Sequence, residues 1–430
     1  MKSVSFFSRT KLVAFILAVF VLGEFLWSMI FPSYNFHHYW IPLQNLNFYK
    51  SSVAKEPTKK EGGSYSFDTF DSKLMPIVLD VISDYHVNVD AGGYMLLAHD
   101  FPNHYFRGHL TFLTRPLYPF IVSILAFLLH HLISNSYSIT FLSGLCVNLL
   151  LFWTSAFLFY LLIKDLISAR IGFFSAFLFT FSPFAHGWLT QPEADIFGAF
   201  ALIVSLYLLL RYAQKSSLKK LIFFSLVIGT LLLGKKLFAI SFFILFLALY
   251  FKRYKEGMLF LGIHLIPFLL WYLWVTLIWN LNFYIDEIST FGVGIWIFNV
   301  FNMPWYQTLK QLLDAVPNFI NATIYGFILI PVIFALIGFR QKTLKKYLVI
   351  SQGYMLSFFL LFFIDNIYIA RHAFLLFPII YPAAILGIDN VASLFSDHTR
   401  LNPFIYYLSV YGFILTFSNI NFYYFLSYGG

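Results

Sequence analysis

The feature that most restricts this chain is a succession of apolar stretches near membrane-spanning length, punctuated by short basic runs. The runs are Lys164–Arg170, Arg211–Lys220, Lys252–Lys255, Arg340–Lys346 and the weaker Asp397–Arg400. Continuous apolar segments of this kind satisfy their backbone polar groups in lipid by forming α-helices. Charge content points the same way. Of 430 residues, 11% are charged and 60% hydrophobic, whereas a soluble domain carries about 25% charge. So little charge cannot cover the surface of a soluble protein this long, and a bilayer must serve as its solvent. The 56 Phe, 28 Tyr and 9 Trp supply bulk and interfacial anchors. The formal charge of +9 is held in the runs between apolar stretches, so it reads as topology and not as a nucleic-acid footprint. A single Cys146 inside an apolar stretch excludes an intrachain disulfide framework and a Cys-based zinc site.

Lys2, Arg9 and Lys11 precede the apolar stretch Leu12–Phe31, which is long enough to span. No small-x-small cleavage site follows it, so a retained first helix with its N-terminus inside is expected. Pro32–Leu110 is the longest polar stretch and is expected outside, since long loops cross regardless of charge. Were Pro116–Ser134 a crossing helix, all five later basic runs would fall outside. The positive-inside rule therefore makes it a re-entrant or interfacial helix, a place that also suits His130 and His131. The later spans run near 139–163, 171–188, 196–210, 221–233, 238–251, 258–279, 320–339, 347–364, 373–394 and 403–417. The expected fold is an all-α integral membrane bundle of about 11 transmembrane helices (range about 10–13) with a large first external loop carrying short interfacial helices. Its parts are an N-terminal transmembrane helix (1–31), that loop (32–137) and a multi-helix membrane domain (138–430). No internal repeat is visible. Several spans fall short of the usual ~20 residues, notably the pair around Gly234, which suggests a thinned membrane or a protein-lined cavity.

This topology collects polar chemistry outside. The first loop brings Asp84, His86, Asp90, His99, Asp100, His104, Arg107, His109 and Arg115; later turns bring His186, Gln191, Glu193, Asp195, Lys235, Lys236, Asp365, Arg371 and His372. A charge at a helix centre costs about 2.5–3.5 kcal/mol on insertion scales, so intramembrane charges usually serve function. Lys235-Lys236 interrupts a long apolar run, and either binds an anionic ligand or snorkels to outer headgroups. Asp90 is either a helix cap or a catalytic carboxylate; the turn-like Ala91-Gly92-Gly93 after it fits a cap. His99, His104 and His109 recur at five-residue spacing, unlike the i, i+4 pair of a helical zinc motif, so no metal site and no cofactor is expected.

From Asp90 the residues resemble a known family. Asp90-Ala91-Gly92-Gly93-Tyr94-Met95-Leu96-Leu97-Ala98 has the Asp-x-x-x-Tyr-x-x-x-Ala spacing of the first external loop in GT-C glycosyltransferases. It is similar to the protein O-mannosyltransferases and the bacterial lipid A aminoarabinose transferases. Arg115-Pro116-Leu117-Tyr118-Pro119, Ser182-Pro183 with Glu193 and Asp195, Leu233-Gly234-Lys235-Lys236, and Arg371-His372 with Pro378 resemble later motifs in the same order. The sequence departs from the family at Ala91, where an acid often follows the catalytic Asp, and at Gly234-Lys235, where the Lys-Gly order is inverted.

The resemblance implies transfer of a sugar from a polyprenyl-phosphate carrier to a lipid, glycan or protein acceptor at the non-cytoplasmic face. It implies Asp90 as general base, with Tyr94, Arg115, Glu193, Asp195, Lys235, Lys236, Arg371 and His372 binding substrate. The expected location is a bacterial cytoplasmic membrane with the site facing outward, the endoplasmic reticulum being the other candidate. No soluble domain precedes Gly430, which favours a small or lipidic acceptor. The competing reading is a transporter or flippase of lipid-linked sugars, which should place charges on both halves of a transmembrane path.

Overall fold

The structure, a computed structural model, describes residues 9–30, 89–99, 115–130, 136–235, 239–279, 304–327, 329–340, 345–359 and 374–398, and every structural statement below concerns these. Among them the secondary structure is helical, with no strand. The helices, numbered here in chain order, are α1 (Thr10–Ile30), α2 (Val89–His99), α3 (Leu117–Leu129), α4 (Ser136–Leu166), α5 (Ala169–Thr180), α6 (Pro183–Trp188) and α7 (Ala194–Gln214). They continue with α8 (Leu218–Leu232), α9 (Ala239–Tyr250), α10 (Tyr254–Trp279), α11 (Trp305–Phe327), α12 (Leu329–Gly338), α13 (Lys345–Phe358) and α14 (Phe377–His398). Five segments are long and apolar enough to cross a membrane: Thr10–Met29, Ser138–Leu166, Ala194–Gln214, Tyr254–Leu277 and Phe374–Ala392. The α3 helix reaches only ~20 Å, short of a hydrocarbon core of ~30 Å. The span expected at 403–417 lies outside the described residues.

Local chemistry explains where helices start. Ser168, Ser182 and Ser217 each cap a helix, their hydroxyls accepting from the backbone N–H of Ile171 (3.3 Å), Ala185 (3.1 Å) and Lys220 (3.3 Å). The Ser182 cap, with Pro183 at the first helical position, divides the expected 171–188 span into α5 and α6. That break turns the chain at membrane depth and feeds the loop before α7.

The basic turns gather at one end of the bundle. Lys164, near the end of α4, donates to Thr10 at the start of α1 over 3.1 Å. Arg211 pairs with Asp165 at 3.0 Å, Arg170 pairs with Asp389, and Tyr212 donates to Glu256 at the start of α10. The start of α1, the α4–α5 and α7–α8 turns and the start of α10 thus share one face, as the positive-inside argument requires.

Aromatic stacking fills the centre. Phe179 stacks on Phe377 at 4.5 Å and on Phe152 at 4.6 Å, and Phe184 stacks on Phe374 at 4.0 Å. Where backbones approach closest, glycine is required. A Cβ on Gly387 would lie 1.9 Å from the Phe334 carbonyl oxygen, and one on Gly338 would lie 1.9 Å from that of Ala383. These two contacts lock α12 against α14. On α1 the buried stripe runs Val13, Leu17, Val21, Glu24, Ser28, so a carboxylate and a hydroxyl face the bundle in the outer part of that helix.

Candidate active site

The polar residues singled out above assemble around the start of α7, opposite the basic turns. Asp90 is the second residue of α2 and stands one turn before Tyr94; its side chain lies outside the described set. Tyr94 is buried, its ring edge-on to Tyr118 with centroids 5.6 Å apart. Its hydroxyl accepts from Arg115 Nη1 at 3.2 Å. Arg115 stands just before Pro116 and α3. One residue further, the Leu117 N–H donates to the Leu233 carbonyl over 3.1 Å. That bond joins the arginine corner to the Gly234-Lys235 turn, two segments remote in sequence.

Lys235 turns inward and places Nζ 2.8 Å from Asp195 Oδ1, with side chains only 8% and 5% exposed. Two glycines make room. The Lys235 stem crosses Gly198, where a Cβ would meet its Cγ at 3.1 Å. At Gly234 a Cβ would fall 2.0 Å from the Phe197 ring. Asp195 sits in the first turn of α7 and Glu193 at its N-cap, where the helix macrodipole favours anions. Glu193 is fully buried.

A second set of bonds fixes the loop that carries these acids. Tyr118 donates its hydroxyl to Asn148 Oδ1 at 2.8 Å, and Asn148 Nδ2 donates to the Gln191 carbonyl at 2.6 Å and the Trp188 carbonyl at 3.5 Å. Burial, then the neighbouring Glu193 carboxylate, push the Tyr118 phenol well above its ordinary range, so it stays a hydroxyl and a donor. Asn148 lies roughly 18 Å from the start of α4 and roughly 27 Å from its end at the helical rise of ~1.5 Å per residue. The cluster therefore sits at membrane depth, within the span Ser138–Leu166.

Of the residues expected to bind substrate, Tyr94, Arg115, Glu193, Asp195 and Lys235 are brought into this one neighbourhood, while Lys236, Arg371 and His372 lie outside the described residues. His99 reaches Thr140, with Nδ1 3.4 Å from Oγ1. Among the described residues no three His, Cys, Asp or Glu side chains gather as metal ligands. Asn148, which joins the parts, was not among the expected site residues. Its signal was a buried amide in the middle of a long apolar helix.

Two cations, Arg115 and Lys235, and two carboxylates, Glu193 and Asp195, thus gather around the N-terminus of α7 inside a polyaromatic helical bundle. Residues 115–279 match the family model described as dolichyl-phosphate-mannose-protein mannosyltransferase, a GT-C family domain. That match agrees with the resemblance read from the sequence, and the apolar helices long enough to cross a membrane fit an integral membrane protein. The matched segment opens on Arg115 and includes Glu193, Asp195 and Lys235; α2, with Asp90 and Tyr94, precedes it. No curated protein and no solved structure matches the chain.

Proposed function

We propose that this chain moves a sugar from a polyprenyl-phosphate carrier to an acceptor at the non-cytoplasmic face of the membrane, with inversion at the anomeric carbon. The observation that carries the reading is the Leu117–Leu233 backbone bond, which sets Arg115 beside the Lys235–Asp195 pair at the mouth of α7. Asp90, one turn before Tyr94, is the general base. It takes the proton of the acceptor hydroxyl as that oxygen attacks the anomeric carbon. The anomeric C–O bond to the carrier breaks, and its electron pair leaves on the polyprenyl phosphate. A phosphate is already a good leaving group, so no second carboxyl acid is required. Positive charge on the departing oxygens is what lowers the barrier. Arg115, Lys235, Lys236 and Arg371 are assigned that role, the arginines in bidentate fashion. Glu193, Asp195 and His372 orient the sugar and acceptor. The inner membrane of a bacterium, with the site facing outward, is the assigned location.

The test is transfer of radiolabelled sugar from a polyprenyl-phosphate-sugar to added acceptor lipid or peptide by purified protein in detergent, beside lipid scrambling by the protein in empty liposomes. Transfer without scrambling supports the proposal. Scrambling of the lipid-linked sugar without transfer would replace it with a flippase.

A further inference from the structure

We infer that Asn148 is a positioning residue that holds the carboxylate-bearing loop in register with the arginine corner; this rests on the glycosyl-transfer reading above. Asn148 is fully buried, and both ends of its amide are committed. Its oxygen accepts from Tyr118, one turn of α3 beyond Arg115, at 2.8 Å. Its nitrogen donates to the Gln191 carbonyl at 2.6 Å and the Trp188 carbonyl at 3.5 Å, both on the segment that leads into Glu193 and Asp195. An amide accepts through its oxygen and donates through its nitrogen at once, from two separate atoms. Asn148 and Tyr118 are both buried, which shields these bonds from bulk water. The bond network spans α3, α4 and the α6–α7 loop.

The two halves of the site depend on Asn148 to different degrees. The arginine corner has a second tether, the Leu117 N–H to the Leu233 carbonyl. The Trp188–Gln191 turn that leads into Glu193 is joined to α4 through the Asn148 amide, while Asp195, beyond Glu193, is tied to Lys235. Loss of the amide therefore displaces the Glu193 carboxylate relative to the donor phosphate, while the seat formed by Arg115 and the Lys235–Asp195 pair persists. Misplacement by about 1 Å costs on the order of 10²-fold in rate.

The experiment compares Asn148→Leu, Asn148→Asp and Tyr118→Phe with the parent protein, using steady-state transfer with the polyprenyl-phosphate-sugar varied and thermal unfolding as a parallel readout. For Asn148→Leu the expected result is a kcat lower by about 10²-fold with a donor KM within about twofold of the parent. Asn148→Asp keeps the acceptor for Tyr118 but cannot donate to the two carbonyls, and kcat falls comparably. Tyr118→Phe, which removes a single hydroxyl, lowers kcat by a smaller factor. A lower unfolding temperature with kcat unchanged in all three variants overturns the inference, since the amide would then be structural only. If Asn148→Leu is not recovered as folded protein, Tyr118→Phe decides, an unchanged kcat counting against. A parent protein without transfer activity would instead refute the underlying glycosyltransferase reading.

Discussion

Lys235 and Asp195, 40 residues apart in sequence, form a buried ion pair with Nζ 2.8 Å from Oδ1. The pair explains how an ammonium is tolerated at membrane depth. Removing either partner leaves an isolated, almost fully buried charge, at a cost of about 3–5 kcal/mol. Lys235→Met and Asp195→Leu should each lower the unfolding temperature sharply in detergent, and the double variant should recover most of the loss. All three should be inactive in transfer. A double variant whose loss equals the sum of the singles would show that the two groups are not coupled.

The base assignment is tested by Asp90→Asn, which keeps size and removes proton affinity. Transfer should fall by about 10²-fold or more, the range general-base loss produces, while binding of the polyprenyl-phosphate-sugar stays at the parent level by equilibrium titration. Near-normal turnover would move the base elsewhere, and loss of donor binding would make Asp90 a ligand of the substrate.

Much of this arrangement was legible in the chain and some was not, for physical reasons. Arg115, Glu193, Asp195 and Lys235 were conspicuous because charge is scarce and each abuts an apolar run. Asn148 was hidden because its partners stand 30 and 43 residues away, and no local pattern announces a contact made through folding. Glu24 was passed over inside the apolar first helix. Helical spacing from Val13 through Leu17 and Val21 would have placed it on the bundle face, where the structure has it buried. The 171–188 stretch read as one span because its hydropathy is continuous; Ser182-Pro183, a cap followed by a helix-starting proline, was the better guide.

The α12–α14 crossing makes a sharp stability prediction. A methyl at Gly387 would meet a carbonyl oxygen at 1.9 Å, and backbone cannot swing aside as a flexible side chain can. Gly387→Ala should cost roughly 1–3 kcal/mol as overpacking does. Gly262, in the middle of α10, has nothing within 4 Å of a built Cβ. Gly262→Ala should be neutral or gain up to about 1 kcal/mol from helix propensity. Unfolding temperatures of the two variants in one detergent provide the comparison, and equal losses would mean that the crossing is looser than the geometry requires.

Sidedness decides whether the site can meet an external acceptor, and two positions report on it. Ser216 is exposed in the turn between α7 and α8, beside Lys215 and Lys219 at the basic end. His130 is exposed just after the end of α3. With Cys146 replaced by Ala to remove the native thiol, Ser216→Cys should resist a membrane-impermeant maleimide in intact cells and react after permeabilisation. His130→Cys should react in intact cells, the outcome that a re-entrant or interfacial α3 requires. Since the basic turns share one end of the bundle, reversal of the Ser216 result would turn the entire cluster of Arg115, Glu193, Asp195 and Lys235 toward the cytoplasm, and an external acceptor could not reach it. Reversal at His130 alone would put both ends of α4 on the same side of the membrane, which a single span cannot do, and would overturn the assignment of α4 as a crossing helix.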